Sequence, residues 1–169
     1  MPNSLHSSKN QLAKDFRSGI TNVEKCLREI ADGKNVIVGT KENPIIPNSD
    51  ICSTESIFSH GVYAREMFVK KDSIVIGAIH KHEHISFLMS GHLTVVSENG
   101  VSEHKAPDVI VAGPGVKRIA YAHEDTIWYN VHGNPTNTED LKELEKEMIV
   151  ASYEEYKELN DILFEGELS

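Results

Sequence analysis

The chain has 169 residues, enough to bury one substantial core and short for two independent ones. Twenty-six acidic residues against seventeen basic ones leave a net charge of −9, which repels a phosphate backbone and sets duplex nucleic acid aside as the main partner. There is no run of about 18 apolar residues and no secretory pattern at the N-terminus, so the expectation is a soluble cytoplasmic protein with no membrane partner.

Residues 1 to about 10 are polar and aperiodic, which predicts a loose start. Leu12, Phe16, Ile20, Val23, Leu27 and Ile30 then recur at steps of three or four, the spacing of a helical packing face, with Ser18-Gly19 as an expected interruption. Thr21 and Glu24 form a capping-box pattern and Asp32-Gly33 a stop, so the fresh helix is expected over about 21–31. Cys26 and Cys52 lie in different segments, outside any redox or zinc spacing, and read as reduced thiols.

The period then changes from helix to strand. Val36-Ile37-Val38 is a short β-rich run ended by a loop over Lys41–Asp50 that contains Pro44 and Pro47. Further runs fall at 62–69, 73–80, 82–89, 92–97, 108–112, 117–122 and 126–132, each bounded by turn residues. Asn99-Gly100 is the sharpest turn signal and is expected to supply the two central residues joining strands 92–98 and 101–105. Many short strands at near-regular spacing predict a mainly β sandwich or barrel. After Thr138, the residues Leu141, Leu144 and Met148 share a helical face, and Ser152 with Glu155 forms a capping box before Tyr153, Tyr156 and Leu159. The division expected is an N-terminal helical extension and linker over 1–50, a β-barrel over 51–134 and a C-terminal helical segment over 135–169.

The chemistry concentrates in residues 77–91, which contain His80-Lys-His82-Glu-His84. On a regular strand alternate residues face one side, so His80, His82 and His84 project together across about 13 Å. Neighbouring imidazoles at that spacing can share an ion, and all three need a bend or bulge. Imidazole suits zinc, copper, nickel and iron(II), so the cluster does not choose the metal.

This segment resembles the first motif of the cupin family, a glycine followed by His-x-His, a glutamate and a closing glycine, here Gly91. Anchored on Gly91, the glutamate position falls on His84, the second histidine on His80 and the first on Ala78; anchored on His80-x-His82, no glutamate follows. Gly113-Pro-Gly-Val-Lys-Arg118 resembles the second motif, with Arg118 where the family has its remaining metal histidine. A guanidinium cannot serve as that ligand, so His123 or His132 is the substitute, His132 first because it ends the last strand run. With Gly61–Glu66 and Ile127–His132, these blocks are similar to small single-domain cupins encoded by bacteriophages. The resemblance covers about residues 57–133. It implies a cupin-like jelly-roll (double-stranded β-helix) barrel with flanking N- and C-terminal helices in a bacterial host cytosol, and it supplies no reaction.

On strand 62–69 the alternation puts Arg65 on one face and Glu66 on the other. Arg65, Glu66, Arg118, Tyr121 and Trp128 are therefore candidates for gripping a small ligand, with the two arginines and Glu66 directed at an anion or at each other. Gly113-Pro-Gly115 lacks the Lys-Ser/Thr ending of a phosphate loop, and neither cysteine has a histidine neighbour. Two functions follow. One is a small-molecule binder whose His80, His82, His84 and His132 cluster and Arg118 hold an anionic, nucleotide-like ligand, a divalent metal (Fe, Zn, Ni or Mn), or both. The alternative is a metal-dependent cupin enzyme of the oxygenase, isomerase or lyase type acting on a small oxygen-rich substrate. Exposed sheet edges and apolar helix stripes add an expected homo-oligomer, a homodimer first.

Overall fold

The computed structural model describes residues 3–31, 35–38 and 49–167, with side chains in the first and last helices described from residue 14 onward and up to residue 160. Three helices, α1 (Asn3–Ile30), α2 (Leu141–Met148) and α3 (Tyr153–Glu167), flank the strands. The strands are β1 (Val36–Val38), β2 (Cys52–Ser59), β3 (Gly61–Val69), β4 (Ile74–Ile76), β5 (Ile79–His80), β6 (His84–Ser90), β7 (His92–Ser97), β8 (Gly100–Lys105), β9 (Asp108–Ala112), β10 (Ile119–Ala122), β11 (Thr126–Asn134) and β12 (Ile149–Val150). They form two five-stranded sheets, β1-β4-β10-β7-β8 and β2-β3-β11-β6-β9, and a small β12-β5 pair.

From β3 onward the chain passes back and forth between the two large sheets. β3, β6, β9 and β11 lie in one, and β4, β7, β8 and β10 in the other. That exchange of eight antiparallel strands is the jelly roll, so the fold is mainly β with helices at both ends, as expected. Inward residues Val75, Leu88, Leu93, Val95, Ala120 and Trp128 pack with Cys52 as the core between the sheets. Both cysteines are free thiols, and burial pushes the Cys52 thiol up to about 11, which leaves it protonated and inert.

Several local expectations change. α1 runs unbroken from Asn3 through Ser18-Gly19 to Ile30, so neither a loose start before residue 10 nor a fresh helix at 21 is present. Thr21 does not cap; its hydroxyl donates to the carbonyl of Arg17 one turn back at 3.0 Å. Only part of the apolar stripe is buried. Phe16, Val23 and Ile30 are exposed, and Ile20 with Leu27 packs on Ile76 and Ile119. Ion pairs complete that contact, since Glu24 meets Lys117 and Arg17 meets Glu98 at 3.1 Å. The Leu12 side chain, the Asp32-Gly33 stop and most of the 41–50 loop lie outside what is described.

β1 adds to β4 in parallel, and β2 (Cys52–Ser59), which the alternation did not reveal, pairs with β3 along its length. The β7–β8 hairpin turns on Glu98-Asn99 rather than Asn99-Gly100, because Ser97 pairs with Gly100. Gly100 still supplies the positive φ, at 110°, while the Glu98 carboxylate is drawn under α1 and α3 by Arg17 and Tyr153. α2 is capped by Asp140, which accepts from the amides of Lys142 and Glu143, and Leu144 and Met148 pack on Tyr63 as their shared face predicts. At Gly91, the motif-closing glycine, φ is +91° and an added Cβ would stand 2.7 Å from the Asp125 carbonyl and 2.9 Å from Thr126 Cα. No side chain fits there.

The outer face of the β2-containing sheet is apolar. Ile57, Val62, Ile85, Met89, Val109 and Val111 are all exposed large hydrophobics, and Ile85 pairs with Val111 across β6 and β9. A contiguous face of this kind is unusual on a monomer surface.

Candidate metal and ligand centre

Three strands deliver the cluster. On β11 the inward set is Thr126, Trp128, Asn130, His132 and Asn134; on β6 it is His84, Ser86 and Leu88. The period of two thus carries His132 and His84 into the space between the sheets. His80 arrives separately on β5, which pairs with Ile149 of β12; its carbonyl accepts from the Gly115 amide at 2.8 Å and the next amide, Lys81, donates to Met148 at 2.8 Å. Gly115 itself packs under α3, where a Cβ would stand 2.5 Å from the Tyr156 ring. The C-terminal segment therefore fixes one wall of the site.

His80, His84 and His132 offer ring nitrogens that lie within 4.8 Å of one another. Their ring centroids are 4.1 Å apart for His80–His84, 4.6 Å for His84–His132 and 5.0 Å for His80–His132. His82 does not join them. Lys81-His82-Glu83 forms a turn between β5 and β6 and His82 is exposed, so the expectation of three imidazoles side by side on one strand is corrected: the bend swings His82 to solvent. Its contribution inside is its carbonyl, 3.4 Å from His84 Nδ1. His132 takes the third place.

Arg118 enters from the segment just before β10. One guanidinium nitrogen, Nη2, donates to His84 Nε2 at 2.8 Å, and the group lies 5.4 Å above the Trp128 ring. Its other terminal nitrogen, Nη1, is buried without a partner, and so is Nδ1 of His80. Among the described residues no carboxylate pairs with Arg118. Arg65 differs: it points inward from β3, donates to the Tyr63 hydroxyl at 2.8 Å and pairs with Glu145 of α2 at 3.3 Å. Glu66 faces the opposite side of the sheet and accepts from the Tyr129 hydroxyl. Tyr121 lies on the outside of the other sheet, donating to Asp72 at 3.0 Å. Of the sequence candidates, Arg65, Arg118, Trp128, His80, His84 and His132 are brought together, and Glu66, Tyr121, His82 and His123 are not. Tyr63 and Glu145 belong to the surroundings without having been singled out; Glu145 is on a helix whose approach to Arg65 no local pattern shows.

The electrostatics follow from burial beside two cations. Burial first, then Arg118 and His132, hold the His84 imidazolium down to about 3. Burial, Arg65 and Arg118 hold His132 at about 4, and burial with His84 and His132 puts His80 well below its ordinary value. All three rings are neutral at pH 7, the form a metal requires. Burial also brings Arg118 down to about 10, so it stays charged at neutral pH. The donor set and the orphaned His80 Nδ1 fit a first-row divalent ion, with one conflict: the His84 Nε2 lone pair already accepts from Arg118.

These shifts give the metal-free protein a defined acid response. In the unfolded chain the imidazoles take protons near 6.5, whereas His132 and His84 in the fold resist until about 4 and 3. Between those limits the unfolded state binds more protons, so stability falls as pH falls. The urea midpoint of demetallated protein is expected to be level from pH 7 to 8 and to decline steadily below pH 6.5. A midpoint unchanged down to pH 4.5 contradicts the assignment of neutral, buried rings.

No protein-family model matches the chain, and no curated protein matches it. Among solved structures it is similar to a Cupin 2 conserved barrel domain protein from Salinispora arenicola, at 18% identity over 50% of this chain and 77% of that one, with a TM-score of 0.43. It is similar to a cupin-2 domain containing protein from Shewanella frigidimarina at 13% identity over 52% and 85% of the two chains, TM-score 0.43. KdgF from Halomonas sp. gives 15% identity over 50% and 82%, TM-score 0.44. The jelly-roll assignment rests on the strand order itself. No helix among the described residues is long and apolar enough to cross a membrane.

Proposed function

We propose that this jelly roll binds a small anionic, oxygen-rich ligand between its sheets, with Arg118 as the anion contact and His80, His84 and His132 as the seat of one divalent transition metal. The observation that carries the reading is the charged Arg118 guanidinium, whose buried Nη1 is unsatisfied and which has no carboxylate partner among the described residues. A buried charge left unmatched costs several kcal/mol, and a ligand carboxylate or phosphate offsets that cost by the forked geometry a guanidinium favours. Arg65 is already matched by Glu145, so it tunes the field rather than gripping the ligand. The Trp128 face is covered by Arg118, which makes Trp128 a support for the guanidinium rather than a free wall for a nucleobase.

Metal and anion are coupled in this arrangement. An anion that draws Arg118 toward itself frees His84 Nε2 and neutralises the cation beside the ion's seat. An ion bound there would supply Lewis acidity toward a ligand oxygen. The metal-dependent enzyme reading uses the same residues and differs only in turnover.

Elemental analysis of tag-free protein purified without chelators tests the metal seat, beside a His80→Ala/His84→Ala double variant checked for folding. The expected result is near one equivalent of iron, zinc, nickel or manganese attributable to the cluster, lost in the folded variant. A wild type whose metal content, after incubation with these ions, equals that of the variant overturns the metal seat.

A further inference from the structure

A second group of ligating side chains stands on the outer face of the β8-β7-β10 sheet. On β7, Leu93 and Val95 are buried inward, so His92 and Thr94 face out by alternation. Thr94 pairs with Glu103 of β8 on one side and with Tyr121 of β10 on the other. His123 follows β10, and its amide donates to the His92 carbonyl at 2.9 Å. Three adjacent strands thereby bring two imidazoles and one carboxylate to one spot on the outer face of the first sheet.

We propose that His92, Glu103 and His123 form a zinc-class divalent metal site, independent of the cluster between the sheets. Their ligating atoms lie within 4.8 Å of one another. Both imidazoles turn Nε2 toward the same oxygen, Glu103 Oε2, at 2.5 Å from His92 and 3.9 Å from His123. The rings stack with centroids 4.3 Å apart. A hydrogen-bonded His–Glu pair needs only one imidazole, whereas a second nitrogen converging on the same oxygen is what a shared ion needs. The other carboxylate oxygen accepts from the Thr94 hydroxyl at 2.5 Å, the kind of outer contact that orients a ligating carboxylate; the same hydroxyl meets His123 Nε2 at 2.6 Å, a contact the ion replaces.

Zinc takes nitrogen and oxygen ligands at about 2.0–2.2 Å in near-tetrahedral order, so Glu103 must retreat by about 1 Å from His92 to admit the ion. Its side chain is 56% exposed and sits on β8, the edge strand of the sheet, where that movement meets little resistance. Two imidazoles and one carboxylate suit zinc, with solvent completing the coordination from the open side. A bound ion ties the edge strand to β7 and to the end of β10.

The test is zinc stoichiometry of tag-free, full-length protein after equilibration with zinc and desalting, in wild type, His92→Ala/His123→Ala and Glu103→Gln. The wild type is expected to hold one equivalent more than the double variant, whether or not the inner cluster is also filled, and Glu103→Gln to bind that equivalent at least tenfold more weakly. The glutamine variant keeps the size of the side chain and one acceptor oxygen for Thr94, so it reads the site even where the alanines disturb the sheet. Equal stoichiometry in wild type and double variant, or a wild type that binds none, overturns the proposal.

Discussion

Arg118→Met is expected to abolish anion binding, to raise metal affinity and to leave the ligand-free protein slightly more stable than the parent. Each part follows from one feature, a buried guanidinium with Nη1 unpartnered and Nη2 committed to His84. Truncating the charged contact to a buried anion costs about 2–5 kcal/mol, or roughly 400-fold in affinity at the middle of that range. Metal affinity moves the other way. The substitution removes a like charge beside the ion's seat and frees the His84 Nε2 lone pair, so zinc affinity without added anion is expected to rise by about tenfold or more. Stability of the empty fold rises by about 1 kcal/mol, because an uncompensated buried charge is replaced by an apolar chain of similar length. The lost contact with the Trp128 face, worth about 0.5–2 kcal/mol, offsets the rest. Thermal shift of demetallated protein with oxalate, malonate and phosphate reads the first part, zinc titration the second and urea unfolding the third. Undiminished anion stabilisation in the variant, with zinc affinity unchanged or lowered, would falsify the proposed role of Arg118.

Much of the architecture was legible because strand alternation is local. The inward placement of His84 and His132 and the outward placement of Glu66 follow once β6, β11 and β3 are assigned. The histidine cluster was legible as a concentration of chemistry and not as a geometry. The turn at Lys81-His82-Glu83 breaks the strand, and a single residue of irregularity changes which imidazoles share a side. Arg118 was visible as a departure from the cupin pattern, while its lack of a counter-charge is a property of the packed core that no spacing encodes. The outer group was invisible for the same reason. His92, Glu103 and His123 are spread over three strands, and only the β8-β7-β10 register puts them together. α1 failed in a different way. Propensity argued for a break at Ser18-Gly19, yet the contact of Arg17 with Glu98 before it and those of Ile20 with the sheet and Glu24 with Lys117 after it hold both sides in place, and tertiary contact overrides a weak local preference.

Those contacts set the second large effect, expected for Lys117→Ala. Lys117 is 4% exposed and joins three elements: its ammonium pairs with Glu24 of α1 and reaches the Ala151 carbonyl before α3 at 3.4 Å, while its amide donates to Glu98 at 3.2 Å. Glu98, also buried, accepts from Arg17 and from the Tyr153 hydroxyl at 2.9 Å. Removing the ammonium leaves Glu24 with Arg28 alone at 2.7 Å, on a helix face still pressed against the sheet. Breaking a buried pair from one side costs about 3–5 kcal/mol; the remaining Arg28 contact puts the expected loss near the lower end, about 3 kcal/mol in urea unfolding. The compensated replacement separates charge from packing. Lys117→Met/Glu24→Leu removes both ions and keeps the volume, so it should recover most of the loss, with a coupling energy of about 2 kcal/mol across the cycle. If the pair instead held nothing in place, the single alanine would cost under about 1 kcal/mol, within the range of ordinary surface changes, and the two substitutions would simply add. In that case α1 would be docked by Ile20 and Leu27 alone, and protease resistance of the helix would survive the loss of Lys117 but not Ile20→Ala.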